Sequence, residues 1–217
     1  LVRKALKVLL CSQALPIDEM IYLIRHCSTV ENESGILCSD KDLELSDKGI
    51  QQANKLSEWF ADKAINLILT SNTLRTTQTA SYISKITKAE VKEYSELRER
   101  DVGSIYTNLR LNELTLIRSN HRQKYFDPTQ DWNGVSDVES DISVFTRTKE
   151  IFQEHIDMGK DLACVTHAGV IKAFIHSVFR IDESRANAFK VKNGCVLVFQ
   201  NENDFDHIRL VEMYQLQ

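Results

Sequence analysis

The chain has 217 residues, a net charge of −4, 42% hydrophobic and 27% charged residues. That length suits one well-buried domain, and a near-balanced charge without a basic field excludes nucleic acid as a favoured partner. No apolar run approaches the roughly 20 residues that span a bilayer, and five cysteines without a C-x-x-C pair suit reduced thiols in the cytoplasm.

Residues 1–19, "LVRKALKVLLCSQALPIDE", read as an amphipathic helical extension or a leader. Lys7 leaves the apolar patch too short for a signal sequence, and Met20 makes a natural start for the domain that fills 20–217. "MIYLIRH" reads as a buried strand. "LSDKGIQQANKLSEWFADK" reads as a helix with Ile50, Ala53, Leu56 and Phe60 on one face, Ser46 as N-cap and Leu45 stapled on Ile50. "INLILT" is a second strand, followed by the helix "SNTLRTTQTASYISKI" capped by Ser71 or Asn72, and "EVKEYSEL" is a short strand.

Residues 104–135 are irregular, with a helical stretch near 109–124. A further helix carries Val138, Ile142, Phe145, Phe152 and Ile156 on one face. "DLACVTH" is a buried strand before the helix "GVIKAFIHSVFR", and "CVLVFQ" and "HIRLVEMY" close the chain as a hairpin. Strands alternating with helices predict a three-layer α/β/α sandwich around a mostly parallel mixed sheet.

In such sheets ligands bind beyond the carboxyl ends of the strands. The first strand ends on Arg25 and His26. The second runs into Ser71, with Arg75 in the next helical turn, and a later one ends on Thr166 and His167. If these strands are parallel neighbours, two histidines and two arginines meet at one rim. Each alone reads as scaffold or solvated surface; together they suggest an anion site. Buried arginines need anionic partners, no acidic residue lies in R-H-C-S-T or S-N-T-L-R, and guanidinium forks match phosphate oxygens. A metal site competes, but H-x-H and H-E-x-x-H are absent and the arginines would repel a cation. A Cys27–His26 nucleophilic pair is disfavoured because adjacent strand residues point to opposite sides. G-x-G-x-x-G and the P-loop pattern are also absent, and no cofactor or metal is expected.

The residues resemble the histidine phosphatase superfamily, also called phosphoglycerate mutase-like. "LIRHCSTVEN" is similar to its R-H-G signature, with Cys27 for the glycine and Ser28 for the usual Glu or Gln. "LELSDKGIQQANKL", "LTSNTLRTTQTA", "ELRERDVG", "ESDISVFTR" and "VTHAGVI" follow in family order. The resemblance implies a phosphomonoester hydrolase of phosphoglycerate mutase-like fold. His26 would be the nucleophile that forms a phosphohistidine. Arg25, Arg75, His167, Asn32 and Ala168 would bind the phosphoryl group, and Glu99 would be the general acid and base. Glu96 and Asp101 rival Glu99 by position alone. Ser136 and Glu139 fit a helix-capping box.

The partners implied are a small phosphomonoester or inorganic phosphate. A cofactor-dependent phosphoglycerate mutase is the alternative, but 104–135 is short and lacks an Arg-Arg pair. Arg110, Arg118, His121, Arg122 and Lys124 there suit a solvated face or a lid. Cys27, expected beside the phosphate pocket, leaves a weakly active phosphate-binding protein as a further alternative.

Overall fold

The computed structural model describes residues 19–36, 42–102, 109–110, 139–156, 161–181, 190–201 and 207–216. The predicted 1–19 extension lies outside these residues except for Glu19. The predicted 104–135 segment lies outside them except for Leu109 and Arg110, where Arg110 forms an isolated antiparallel bridge with Ile36.

The strands are β1 (Glu19–Arg25), β2 (Leu67–Thr70), β3 (Glu90–Glu93), β4 (Leu162–Thr166), β5 (Val196–Asn201) and β6 (Ile208–Tyr214). They form one sheet in the order β3-β2-β4-β1-β5-β6. The β3–β2, β2–β4 and β4–β1 pairs are parallel, while β5 runs antiparallel to both β1 and β6. The sheet is therefore mixed and mostly parallel, as the sequence pattern predicts, and the closing pair is the expected hairpin.

The helices are α1 (Val30–Glu33), α2 (Asp47–Phe60), α3 (Leu74–Thr87), α4 (Asp141–Ile156) and α5 (Ala168–Val178). Side chains alternate across each strand. Ile21, Leu23, Leu162, Cys164, Leu197 and Phe199 join the cluster containing Val144, Phe152, Val170 and Phe174 of α4 and α5. Tyr22, Ile24, Ala163, Val165, Val196 and Val198 join the opposite cluster with Ala53, Leu56, Phe60, Ala80 and Ile83 of α2 and α3. The result is the α/β/α sandwich. Phe60 and Phe152 are fully buried, and truncating such a side chain to alanine costs about 3–5 kcal/mol.

Several local expectations need correction. In α2 the buried face is Gly49, Ala53, Leu56 and Phe60, while Ile50 is exposed. The cause is close approach: a Cβ on Gly49 would overlap the Ser28 carbonyl. Ser46 is the N-cap, as predicted, and its Oγ accepts from Gly49 N at 3.1 Å. The N-cap of α3 is Thr73, in place of Ser71 or Asn72. Asp42 Oδ1 caps from outside by accepting from Leu74 N at 2.6 Å. This leaves Ser71 for other partners.

In α4, Ile142 is 51% exposed while Asp141, Val144, Thr148, Ile151, Phe152, His155 and Ile156 face inward. The helix turns Asp141 toward Arg100 and His176 instead. "EVKEYSEL" divides into β3 and a 3-10 turn at Ser95–Leu97.

Candidate active site

The carboxyl ends of β2, β4 and β1 are adjacent, with Thr70 opposite Val165 and Arg25 opposite Thr166. His26 extends the ladder one residue further, donating its N–H to the Thr166 carbonyl at 2.9 Å. The three strand ends thus meet at one rim and bring His26, His167, Arg25 and Arg75 together. The imidazole centroids of His26 and His167 are 5.2 Å apart. Arg75 lies in the first turn of α3, buried, with Nη2 donating to His167 Nδ1 at 3.4 Å. Arg25 is half-buried and donates from Nη1 to the Val191 carbonyl at 2.7 Å. Its buried Nε has no acceptor among the described residues.

The hydrogen bonds fix both ring tautomers. His26 Nδ1 lies 2.8 Å from the Cys27 carbonyl. A carbonyl only accepts, so Nδ1 carries the proton and Nε2 keeps the lone pair in the neutral ring. Arginine only donates, so His167 accepts at Nδ1 and gives its Nε2 proton to Ser71 Oγ, 2.9 Å away. Burial, then Arg25 and Arg75, hold the His26 pKa well below the usual histidine range. Burial, then His26 and the arginines, act likewise on His167. Burial also lowers the Arg25 pKa, opposed by the negative charge of Glu99. Arginine nevertheless remains charged, because its reference pKa is so high.

Glu99 follows the 3-10 turn. Its Oε1 accepts from Arg100 N at 2.9 Å and from Gly169 N at 2.8 Å. Gly169 belongs to the first turn of α5, whose N-cap is His167. A side chain at Gly169 would collide with the Glu99 carboxylate and with Arg100 Cβ. Thr166 Oγ1 ties the segment to the sheet by donating to the Leu97 carbonyl at 2.8 Å. Glu96 lies on the 3-10 turn and the Asp101 backbone bonds Glu139, whereas the Glu99 carboxylate reaches the start of α5.

Asn32 ends a capping box with Thr29 at α1. Its Oδ1 accepts from Thr29 N and, at 2.9 Å, from Asn193 Nδ2, bonds in which its own Nδ2 takes no part. Ala168 is the first residue of α5, where a backbone N–H has no intrahelical acceptor.

Cys27 corrects an expectation. It is fully buried among Tyr22, Ile24, Ala53 and Val196, and its Sγ would lie 3.7 Å from a Cβ on Gly194. The side chain therefore faces the α2–α3 layer, and burial pushes its thiol up to about 12. Glu139 also departs from its expected capping role. Its carboxylate pairs with Arg147, with Nε at 2.6 Å and Nη2 at 2.9 Å. Ser136, the proposed cap, lies outside the described residues.

Sequence reasoning missed the support beneath these groups. Ser71 Oγ meets Thr76 Oγ1 at 2.8 Å and Thr73 Oγ1 at 3.1 Å, forming a hydroxyl cluster behind His167. Thr79 Oγ1 accepts from Cys27 N at 3.1 Å and donates to the Arg75 carbonyl at 2.8 Å. Gln52 Oε1 accepts from Ser28 N at 2.8 Å. Ser71, Thr76 and Thr79 lie inside the quoted "LTSNTLRTTQTA", and Gln52 inside "LELSDKGIQQANKL"; their spacing from the arginine and glycine was the available signal. Asn193 was marked only by an N-G turn, with Gly194 at φ +70°.

Among the described residues no group of three His, Cys, Asp or Glu side chains could hold a metal ion. None of their helices is long and apolar enough to cross a membrane.

Two histidines and two arginines gathered at one rim suit an anion with several oxygens. The chain matches the histidine phosphatase superfamily (branch 1) over residues 21–213 and belongs to that family. Phosphoglycerate mutase-like protein 4 of Arabidopsis thaliana is 27% identical over 199 residues, covering 87% of this chain and 86% of that protein. The probable phosphoglycerate mutase GpmB of Salmonella choleraesuis (strain SC-B67) is 31% identical over 111 residues, about half of each chain at 51%. Among solved structures, Entamoeba histolytica phosphoserine phosphatase with 3-phosphoglyceric acid has a TM-score of 0.77 at 22% identity, covering 92% of this chain and 98% of that one. Mycobacterial glucosyl-3-phosphoglycerate phosphatase has a TM-score of 0.74 at 21% identity, covering 89% and 97%. These structural neighbours are phosphatases, and at such identities they establish the shared fold.

Proposed function

We propose that the chain hydrolyses phosphomonoesters through a phosphohistidine on His26. The observation that carries this reading is the bond from His26 Nδ1–H to the Cys27 carbonyl. It leaves Nε2 unprotonated in a site where Arg25, Arg75 and His167 gather. A neutral, aimed imidazole is a competent nucleophile, and fixed cations stabilise the charge spread over the transferred oxygens. Nε2 attacks phosphorus, the bond to the ester oxygen breaks, and Glu99 in its acid form gives that oxygen a proton. Glu99, now a carboxylate, takes a proton from water. The resulting oxygen attacks phosphorus, which releases inorganic phosphate and restores the imidazole.

Arg25, Arg75, His167, Asn32 Nδ2 and the Ala168 N–H bind the phosphoryl oxygens in this scheme. The names of the neighbours support small anionic substrates such as phosphoserine or phosphoglycerates. The buried free thiols of Cys27, Cys164 and Cys195 support a reducing, cytoplasmic setting.

A mutase reading is favoured by the names of the two sequence relatives, and it shares the first half of the chemistry. Rapid quench with labelled phosphoserine and 3-phosphoglycerate tests both. An acid-labile, base-stable phosphoprotein in wild type, absent in His26→Ala, is expected. Release of label as inorganic phosphate supports hydrolysis, and transfer to a second hydroxyl supports the mutase. Normal turnover by His26→Ala, with no phosphoprotein in wild type, overturns the nucleophile assignment.

A further inference from the structure

The segment from Arg98 to Asp101 has no helical or strand ladder of its own, yet it carries Glu99. The site proposed above needs that carboxyl held to within a fraction of an ångström, because a misplacement of about 1 Å can cost on the order of 10²-fold in rate. The N–H groups of Gly169 and Arg100 both hold the same oxygen, Oε1. Bonds to one oxygen leave the carboxyl free to pivot about it unless the main chain behind it is also held.

Arg147, on α4, supplies that second hold. Its Nη2 donates to the carbonyls of Arg98 at 3.1 Å and Glu99 at 3.4 Å, and its Nη1 donates to the carbonyl of Glu96. Glu139 grips the other edge of the same guanidinium through both carboxylate oxygens. Glu139 is joined to the segment in turn: Oε2 accepts from Asp101 N at 3.2 Å, and Glu139 N donates to the Asp101 carbonyl at 2.8 Å. Both side chains are largely shielded, 13% and 10% exposed. A surface ion pair contributes little. This one is shielded, and its guanidinium also bonds three carbonyls of the acid-bearing segment.

We propose that Arg147, aligned by Glu139, is a positioning residue that sets the Glu99 carboxyl for protonation of the leaving oxygen. It touches neither substrate nor reacting atoms; it acts through the backbone of residues 96–99. Lysine cannot replace it, because one ammonium lacks the planar five-donor fork that reaches three carbonyls and a carboxylate together.

The inference rests on Glu99 as the general acid, so the test must separate the two. The measurement is kcat/KM for wild type, Glu99→Gln, Arg147→Lys and Glu139→Gln across phosphomonoesters from alkyl phosphates to p-nitrophenyl phosphate. Poor leaving groups need the proton and good ones need it far less. Arg147→Lys is expected to lose roughly 10- to 10²-fold on alkyl phosphates and only a few-fold on p-nitrophenyl phosphate. Glu139→Gln should show the same pattern at smaller size, and Glu99→Gln the same pattern at larger size. A uniform loss, or none, in Arg147→Lys beside a selective loss in Glu99→Gln overturns the positioning role and leaves Glu99 intact. A uniform loss in Glu99→Gln overturns the acid assignment and this inference with it. If Arg147→Lys fails to fold, Glu139→Gln decides by the same criterion.

Discussion

His26 and His167 stand edge to face, their ring planes at 61°, with no more than 3% of either residue exposed. Two imidazoles this close, with two guanidiniums beside them, cannot both accept protons cheaply. That relationship has a cost outside the chemistry.

In the unfolded chain both rings protonate as pH falls through the ordinary 6.5, whereas in the folded chain their pKa values lie well below it. The unfolded state then binds more protons, so stability is full above about pH 6.5 and is lost on acidification. Each ring contributes a slope approaching 1.4 kcal/mol per pH unit in that window. Urea melts between pH 7.5 and 5 should show this decline, and His167→Gln should flatten it. An equal slope in the variant would remove His167 from the account.

The tautomer and protonation state of His26 can be read directly. Ring nitrogen and carbon resonances should report a neutral ring protonated at Nδ1, unchanged from pH 8 to below 6.5. Arg75→Gln removes one of the cations that depress its pKa, so titration should begin at higher pH in that variant. A wild-type His26 titrating at its ordinary value would contradict the buried, cation-flanked environment.

Cys27 should resist alkylation. The thiolate is the reactive form, and burial with a pKa of about 12 keeps it scarce. Peptide mapping after iodoacetamide at pH 8 should find Cys27 unlabelled in the folded protein, with or without phosphate, and labelled in urea. Rapid labelling that phosphate suppresses would return the sulfur to the pocket.

Gly169→Ala should damage activity more than folding. The added Cβ meets the Glu99 carboxylate and Arg100 Cβ. Overpacking of this kind costs about 1–3 kcal/mol of stability. Displacing the carboxyl should cost on the order of 10²-fold in kcat. Thermal melts with steady-state assays check the balance; full activity in Gly169→Ala would show that Glu99 does not depend on this contact.

The sheet, its alternation and the three strand ends were legible because strand periodicity and the strand-end rule are local signals. Arg25, His26, Arg75 and His167 could be gathered without knowing a single long-range contact. What escaped required knowledge of the neighbours. The period of α4 admits a face through Ile142, and only the partners of Asp141 reveal that the helix is rotated. The cap of α3 comes from Asp42, across 32 positions of sequence. Cys27 looked like a pocket residue because the motif places it next to His26, although strand alternation already pointed its side chain the other way.

Asp141 bonds Arg100, beside Glu99, and accepts from or pairs with His176 Nδ1 at 2.8 Å on α5. Arg147 joins the acid segment to α4, and Gly169 joins it to α5. Three members meeting at three corners make a triangulated truss. Such a truss is stiff only while every joint holds, so slackening one already loosens the corner that carries Glu99. A second cut then finds a corner already loose, and a double variant should lose less than the sum of the separate losses.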